Sequence, residues 1–119
     1  MCEKEPCTLD KMAVFWTSQN REVAQKMVFP YTKNFRFDSN WERVRLVLWG
    51  SSIKLLASDE ELQEDIAELK KVGIELQACK SNIHTDGFAD DLMRLGFEIV
   101  YISDPITEYR ETKWSIAIF

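Results

Sequence analysis

Cys79 is the residue of this chain best placed for covalent chemistry. It is the only cysteine outside the first ten residues, and it falls near the end of Ile74-Glu75-Leu76-Gln77-Ala78-Cys79-Lys80, a segment whose composition predicts a β-strand. A thiolate at a strand end is a nucleophile for thiol exchange. Alternation puts Ile74, Leu76 and Ala78 on one face and Glu75, Gln77 and Cys79 on the other, so the thiol belongs to the polar side of its strand. Lys80 beside it and His84 shortly after can add positive charge, which lowers a thiol pKa. Two readings stand: a buried structural thiol, the common fate of free cysteine, and a reactive one, which the polar face favours. His84 likewise reads as a general acid or base, or as a solvated loop residue.

Other residues could hold an anion rather than react. Gly50-Ser51-Ser52 with Lys54 follows a predicted strand and reads as a small-anion nest, although the chain contains neither GxxxxGK nor GxGxxG. Ser18 and Asn20 stand at another strand exit, in Thr17-Ser18-Gln19-Asn20. Trp16 and Trp49, each near a strand end, read as pocket walls or as core packing. Cys2 and Cys7 are spaced C-x4-C with no second cysteine pair and one histidine in the chain, a poor zinc set, so they are expected to be tail thiols and no metal is expected. With one histidine and no nucleophile elbow, a Ser-His-Asp hydrolase is not expected either.

These residues must be positioned by elements legible in the hydrophobic pattern. The apolar run at 12–16 predicts a first strand, and Val23, Ala24, Met27 and Val28 predict a helix that Pro30 should end or kink, with 31–37 less regular. Residues 44–49 form a second predicted strand. Ser58-Asp59-Glu60-Glu61 reads as a capping box in which the serine hydroxyl caps the Glu61 amide. The helix it starts carries a Leu62, Ile66, Leu69 stripe, acids in its first turn, Lys70 and Lys71 in its last, and Gly73 as its stop. The strand of Cys79 follows, then a polar loop at 81–86 and a short helix with Phe88, Ala89, Leu92 and Leu95 inward before Gly96. Residues 97–102 are a fourth strand, 104–111 a short helical segment opened by Asp104-Pro105, and 114–119 a fifth strand.

Strands alternating with helices predict a parallel sheet covered on both faces, a three-layer α/β/α sandwich. The chain of 119 residues is read as a flexible tail over 1–10 and a single domain over 11–119. In such a sheet the strand exits, here 17–20, 50–52, 79–82 and 103–104, line the crevice where ligands bind. Twenty acidic against fifteen basic residues give a net charge of -5, which lacks the basic footprint of a nucleic-acid binder. No apolar run is long enough for a membrane span and the first residues lack an apolar signal region, so a cytoplasmic protein is expected.

Trp49-Gly50-Ser51-Ser52-Ile53-Lys54-Leu55-Leu56-Ala57, then Asp59-Glu60-Glu61-Leu62-Gln63, then Ala78-Cys79-Lys80, resemble the DsrE/DsrF-like proteins, a group with YchN-like and sulfur-relay members. The resemblance runs from Lys11 to Phe119. It implies a five-stranded parallel sheet with helices on both faces, a homotrimer or a pair of stacked trimers, and no organic cofactor. In sulfur-relay members a cysteine after the third strand accepts sulfur as a persulfide and hands it to a partner protein, and Cys79 matches that position. The expected function is a sulfur carrier or sulfurtransferase-like protein acting between donor and acceptor proteins. The alternative is a non-catalytic module that binds a small anion or nucleotide, or that serves through its oligomer surface, suggested by the aromatic-rich segments 31–37 and 114–119.

Overall fold

The alternation of the strands sorts the core into two layers of unequal depth. A computed structural model describes residues 10–37, 41–79, 89–100 and 105–119. Its strands are β1 (Asp10–Trp16), β2 (Trp41–Trp49), β3 (Glu75–Cys79), β4 (Glu98–Val100) and β5 (Ser115–Ile118), all parallel in one sheet of order β4-β3-β2-β1-β5. Met12, Val14 and Trp16 of β1, Val44, Leu46 and Leu48 of β2, and Leu76 and Ala78 of β3 point to the first face, where most of the helices pack. Ala13, Phe15, Val47 and Cys79 point to the second, under a single described helix. The result is the expected three-layer α/β/α sandwich.

On the first face, α1 spans residues 21–37. It begins as Arg21–Val23, widens into a π-helical stretch Ala24–Val28, and continues as Phe29–Phe37. Of the two outcomes expected at Pro30, an end or a kink, the helix does not end there, and residues 31–37 are regular helix where a less regular segment was expected. The Phe29 N–H reaches back to the Ala24 carbonyl, and this wide turn accommodates the proline ring and its missing N–H. A separate short helix, α2 (Ser52–Ala57), then precedes α3 (Glu60–Lys71).

The cap of α3 lies one residue later than the capping box implied. Asp59, in extended backbone, accepts the Leu62 N–H at 3.2 Å, whereas Ser58 Oγ donates back to the Lys54 and Leu55 carbonyls at the end of α2. A helix ending immediately before Ser58 offers its hydroxyl free carbonyls, and the carboxylate is left to cap the next helix. Leu62, Ile66 and Leu69 are buried as their spacing predicts, a stripe in which each side chain contributes about 1.5–3 kcal/mol. Gly73 then turns the chain into β3 with φ 95°, a value L side chains rarely adopt.

The remaining helices are α4 (Ala89–Arg94), whose Leu92 is buried on the first face, and α5 (Pro105–Glu111), which covers the second. The expected tail, the loop at 81–86 and Phe88 lie outside the described residues, except that Asp10 already begins β1.

Candidate functional site

Register builds the second face in rows. Lys11 of β1 pairs with Arg43 of β2, Ala13 with Arg45 and Arg45 with Glu75, Val47 with Gln77 and Gln77 with Glu98, and finally Trp49 with Cys79 and Cys79 with Val100. Charge is thereby concentrated at the amino ends of the strands and gives way to apolar packing toward their carboxyl ends. Cys79 occupies the last row, next to Trp49 and Val100 in the smaller core layer.

From that row a hydrogen-bonded chain leads back to the charged rows. Cys79 Sγ donates to Gln77 Oε1 at 3.5 Å, and Tyr109 Oη of α5 donates to the same oxygen. Gln77 Nε2 donates to Glu98 Oε1 at 3.3 Å. The Tyr109 hydroxyl receives Arg45 Nη1 at 2.9 Å. Arg45 also donates to Glu75 Oε1 through Nε and Nη2, at 2.9 and 2.7 Å. Arg43 completes the cluster by gripping both carboxylate oxygens of Glu75 at 2.8 Å, a bidentate geometry that holds planar groups firmly.

Aromatic rings give this chain its walls. Trp49, Phe15, Tyr109 and Trp114 meet edge to face in sequence, with centroids 6.2, 5.4 and 5.1 Å apart. The guanidiniums of Arg43 and Arg45 lie 5.1 and 4.7 Å from the centre of the Trp114 ring, and Lys11 Nζ lies at 5.4 Å.

The electrostatics differ from those expected of a reactive thiol. Cys79 is fully buried, and burial pushes its thiol from 9.0 up to about 12, with Arg45 acting in the opposite direction and Glu98 adding to the rise. Loss of hydration outweighs the nearby guanidinium, which bears against the ionised thiol read from the polar strand face; Lys80 and His84, the charges named with it, lie outside the described residues. Burial likewise raises the Tyr109 phenol, against the hydrogen bond from Arg45. The bonds from Arg43 hold the Glu75 carboxyl below its ordinary range, so the carboxylate and both guanidiniums stay ionised.

The residues expected around Cys79 are placed elsewhere. Asn20 caps α1, its Oδ1 accepting from Glu22 N and Val23 N at 2.8 and 3.2 Å, and Ser18 Oγ accepts the Asn20 N–H at 3.0 Å. Ser51 Oγ donates to the Thr17 carbonyl at 3.1 Å, and Ser52 Oγ is buried and donates to the Trp16 carbonyl. These hydroxyls tie the exit of β1 to that of β2. Gly50 makes the turn with φ 85°, and Lys54 is exposed on α2. None of the hydrogen bonds among the described residues joins Cys79 to Ser18, Asn20 or the turn at 50–54. Lys80 and His84, with Cys2 and Cys7, lie outside the described residues. Trp16 is core, edge-on to Phe29 at 5.2 Å, whereas Trp49 is half-buried near Cys79.

Sequence reasoning missed Arg43, Arg45, Tyr109 and Trp114. The available signal was the alternation of Arg43 and Arg45 opposite Glu75, hidden because β2 begins at Trp41, before the predicted 44. Among the described residues no group of three or more histidine, cysteine or acidic side chains is arranged to hold a metal. Nor is any helix among them long and apolar enough to cross a membrane.

No protein-family profile matches the chain, and no curated protein does. Two solved structures share its fold. The protein of unknown function MTH1491 from Methanobacterium thermoautotrophicum is 20% identical with a TM-score of 0.71, over 92% of this chain and 100% of that one, a likeness of fold alone. The conserved protein of unknown function BT1422 from Bacteroides thetaiotaomicron is 31% identical with a TM-score of 0.83, over 92% of this chain and 95% of that one. Identity at that level across nearly the full length of both chains places this chain in one family with the Bacteroides thetaiotaomicron protein BT1422.

Proposed function

We propose that this chain is a small sulfur carrier of the DsrE/DsrF-like kind, in which Cys79 accepts sulfane sulfur as a persulfide and passes it to a partner protein. The observation that carries the reading is the position of Cys79 as the last residue of β3, between β2 and β4, where the resemblance expects the sulfur-accepting cysteine. The ionised Sγ attacks the outer sulfur of a donor persulfide. The donor S–S bond breaks, its electron pair leaves with the donor thiolate, and a Cys79 persulfide forms. The thiol proton passes to the departing thiolate or to water. An acceptor thiolate then attacks the outer sulfur, and Cys79 leaves as the thiolate. Because burial keeps Sγ protonated, the donor must uncover Cys79 before the first step.

That same burial favours a second reading, a non-catalytic module of this fold that binds a small anion or nucleotide or acts through its assembly. Exposed Met27, Tyr31, Phe37 and Ile118 are consistent with a surface covered by further copies, as a trimer or hexamer. The two readings separate on incubation with a cysteine desulfurase and cysteine, followed by intact mass. A sulfur carrier gains the mass of sulfur, removable by reductant and absent in Cys79→Ser. No added sulfur at neutral pH, or addition that survives in Cys79→Ser, selects the non-catalytic reading.

A further inference from the structure

Toward the amino ends of the strands the second face holds a cavity of about 270 Å³ lined by Arg43, Arg45, Gln77, Tyr109, Trp114 and the α5 residue Glu108, with Gln77 and Tyr109 as the wall nearest Cys79. Three cations converge here: Lys11, Arg43 and Arg45 all lie within 5.4 Å of the Trp114 ring centre. Glu75 answers both guanidiniums with one carboxylate, and Glu108 supplies one more carboxylate at the wall. Glu42, the neighbour of Arg43 in β2, alternates to the opposite face. Gln77, on the inner wall, donates to a third carboxylate, Glu98, so three positive charges meet three negative ones and what the cavity leaves open is a hydrogen-bond donor rather than a surplus charge.

We propose that this cavity binds a small oxyanion, a carboxylate or phosphate, with Arg43 as its principal donor. Nε and Nη2 of Arg43 are held by Glu75 while Nη1 has no hydrogen bond among the described residues, so the guanidinium is oriented yet has a donor left to offer. Its side chain is 42% exposed, against 16% for Arg45, which sets Arg43 at the mouth and Arg45 at the base. Size sets the ligand class. Sites for drug-sized molecules occupy roughly 300–1,000 Å³, so this volume suits a single anion or a short acid and leaves no room for a dinucleotide. Its principal donor, Arg43, lies toward the opposite end of the sheet from the turn at 50–54 that the sequence suggested, although its inner wall, Gln77, is bonded to Cys79.

The test is to titrate the full chain with inorganic phosphate and, separately, with acetate, against chloride at equal ionic strength, following the arginine Nε–H resonances by NMR. Saturable shifts at Arg43 and Arg45 are expected with at least one of the two. Preference for phosphate identifies a tetrahedral site, and equal response identifies a carboxylate-sized one. Loss of one charge-assisted bond predicts at least about tenfold weaker binding in Arg43→Gln and an intermediate loss in Arg43→Lys, which keeps the charge without the fork. Shifts no larger than chloride produces, or equal affinity in Arg43→Gln, would overturn the proposal.

Discussion

Cys79 Sγ and Gln77 Oε1 lie 3.5 Å apart, two residues along the same strand and on the same face. The side-chain oxygen that receives the thiol also receives the Tyr109 hydroxyl. A group that donates as a thiol is held in its protonated form, in agreement with the raised value of about 12.

Alkylation should therefore be slow in the native state. Iodoacetamide at neutral pH is expected to modify Cys79 at least about a hundredfold more slowly in folded protein than in urea, because both access and thiolate fraction are suppressed. Peptide mapping separates this site from Cys2 and Cys7. Equal rates in the two states would mean that Sγ is open to solvent.

The same thiol makes stability sensitive to alkali. Its folded value lies above the unfolded one, so its contribution is complete below pH 9 and is lost as pH rises from 9 toward 12, where the unfolded chain has released a proton that the folded chain keeps. Tyr109, also raised, acts in the same direction above pH 10. Thermal unfolding followed across this range should fall less steeply in Cys79→Ala than in the parent. Parallel slopes would show that the thiol is not the titrating group.

Tyr109→Phe keeps the ring against Phe15 and Trp114 but removes the hydroxyl that joins Arg45 to Gln77. A cost of about 1–3 kcal/mol is expected from the groups left without that partner. Urea unfolding measures it, and a cycle with Gln77→Leu should give a coupling energy distinguishable from zero.

Glu75→Gln removes the charge that balances Arg43 and Arg45. The carboxylate is 37% exposed, so solvent screening limits the expected loss to about 1–2 kcal/mol at neutral pH. Its folded value is lowered, hence the contribution is present above the unfolded value of 4.5 and disappears as pH falls through the folded one. Parent and variant should converge in acid, which denaturation at low pH will check.

The placement of the α3 cap gives a purely structural comparison. Asp59→Ala should cost about 1 kcal/mol through the lost cap, and it also removes the partner of Arg21 Nε at 2.6 Å. Ser58→Ala, whose hydroxyl only meets the end of α2, should cost less. The reverse order would restore the capping box read from sequence.

How far the sequence reached is clearest in α3 and β3. Leu62, Ile66 and Leu69, with Gly73 after them, state a helix and its stop in local terms, and each behaves so. Asp59 and Ser58 compete for one cap, and local pattern favours both; the choice fell to the carbonyls left at the end of α2. Pro30 misleads for a related reason, since a π turn ahead of it satisfies the backbone in a way that no residue count announces.

For the second face the division is sharper. Periodicity alone determined five strands with helices between them, and it put Glu75, Gln77 and Cys79 on one side of β3, because a pleated strand has a strict period of two. It carried no information on what stands opposite. The register of β2 against β3, the position of β5 beside β1, and the docking of α5 decided that Arg43 and Arg45 meet Glu75, that Trp114 lies under three cations, and that Cys79 is buried. Burial and charge pairing depend on residues brought together from distant parts of the chain. Only the tertiary structure could therefore turn a polar strand face into a buried thiol at one end and an arginine-lined cavity at the other.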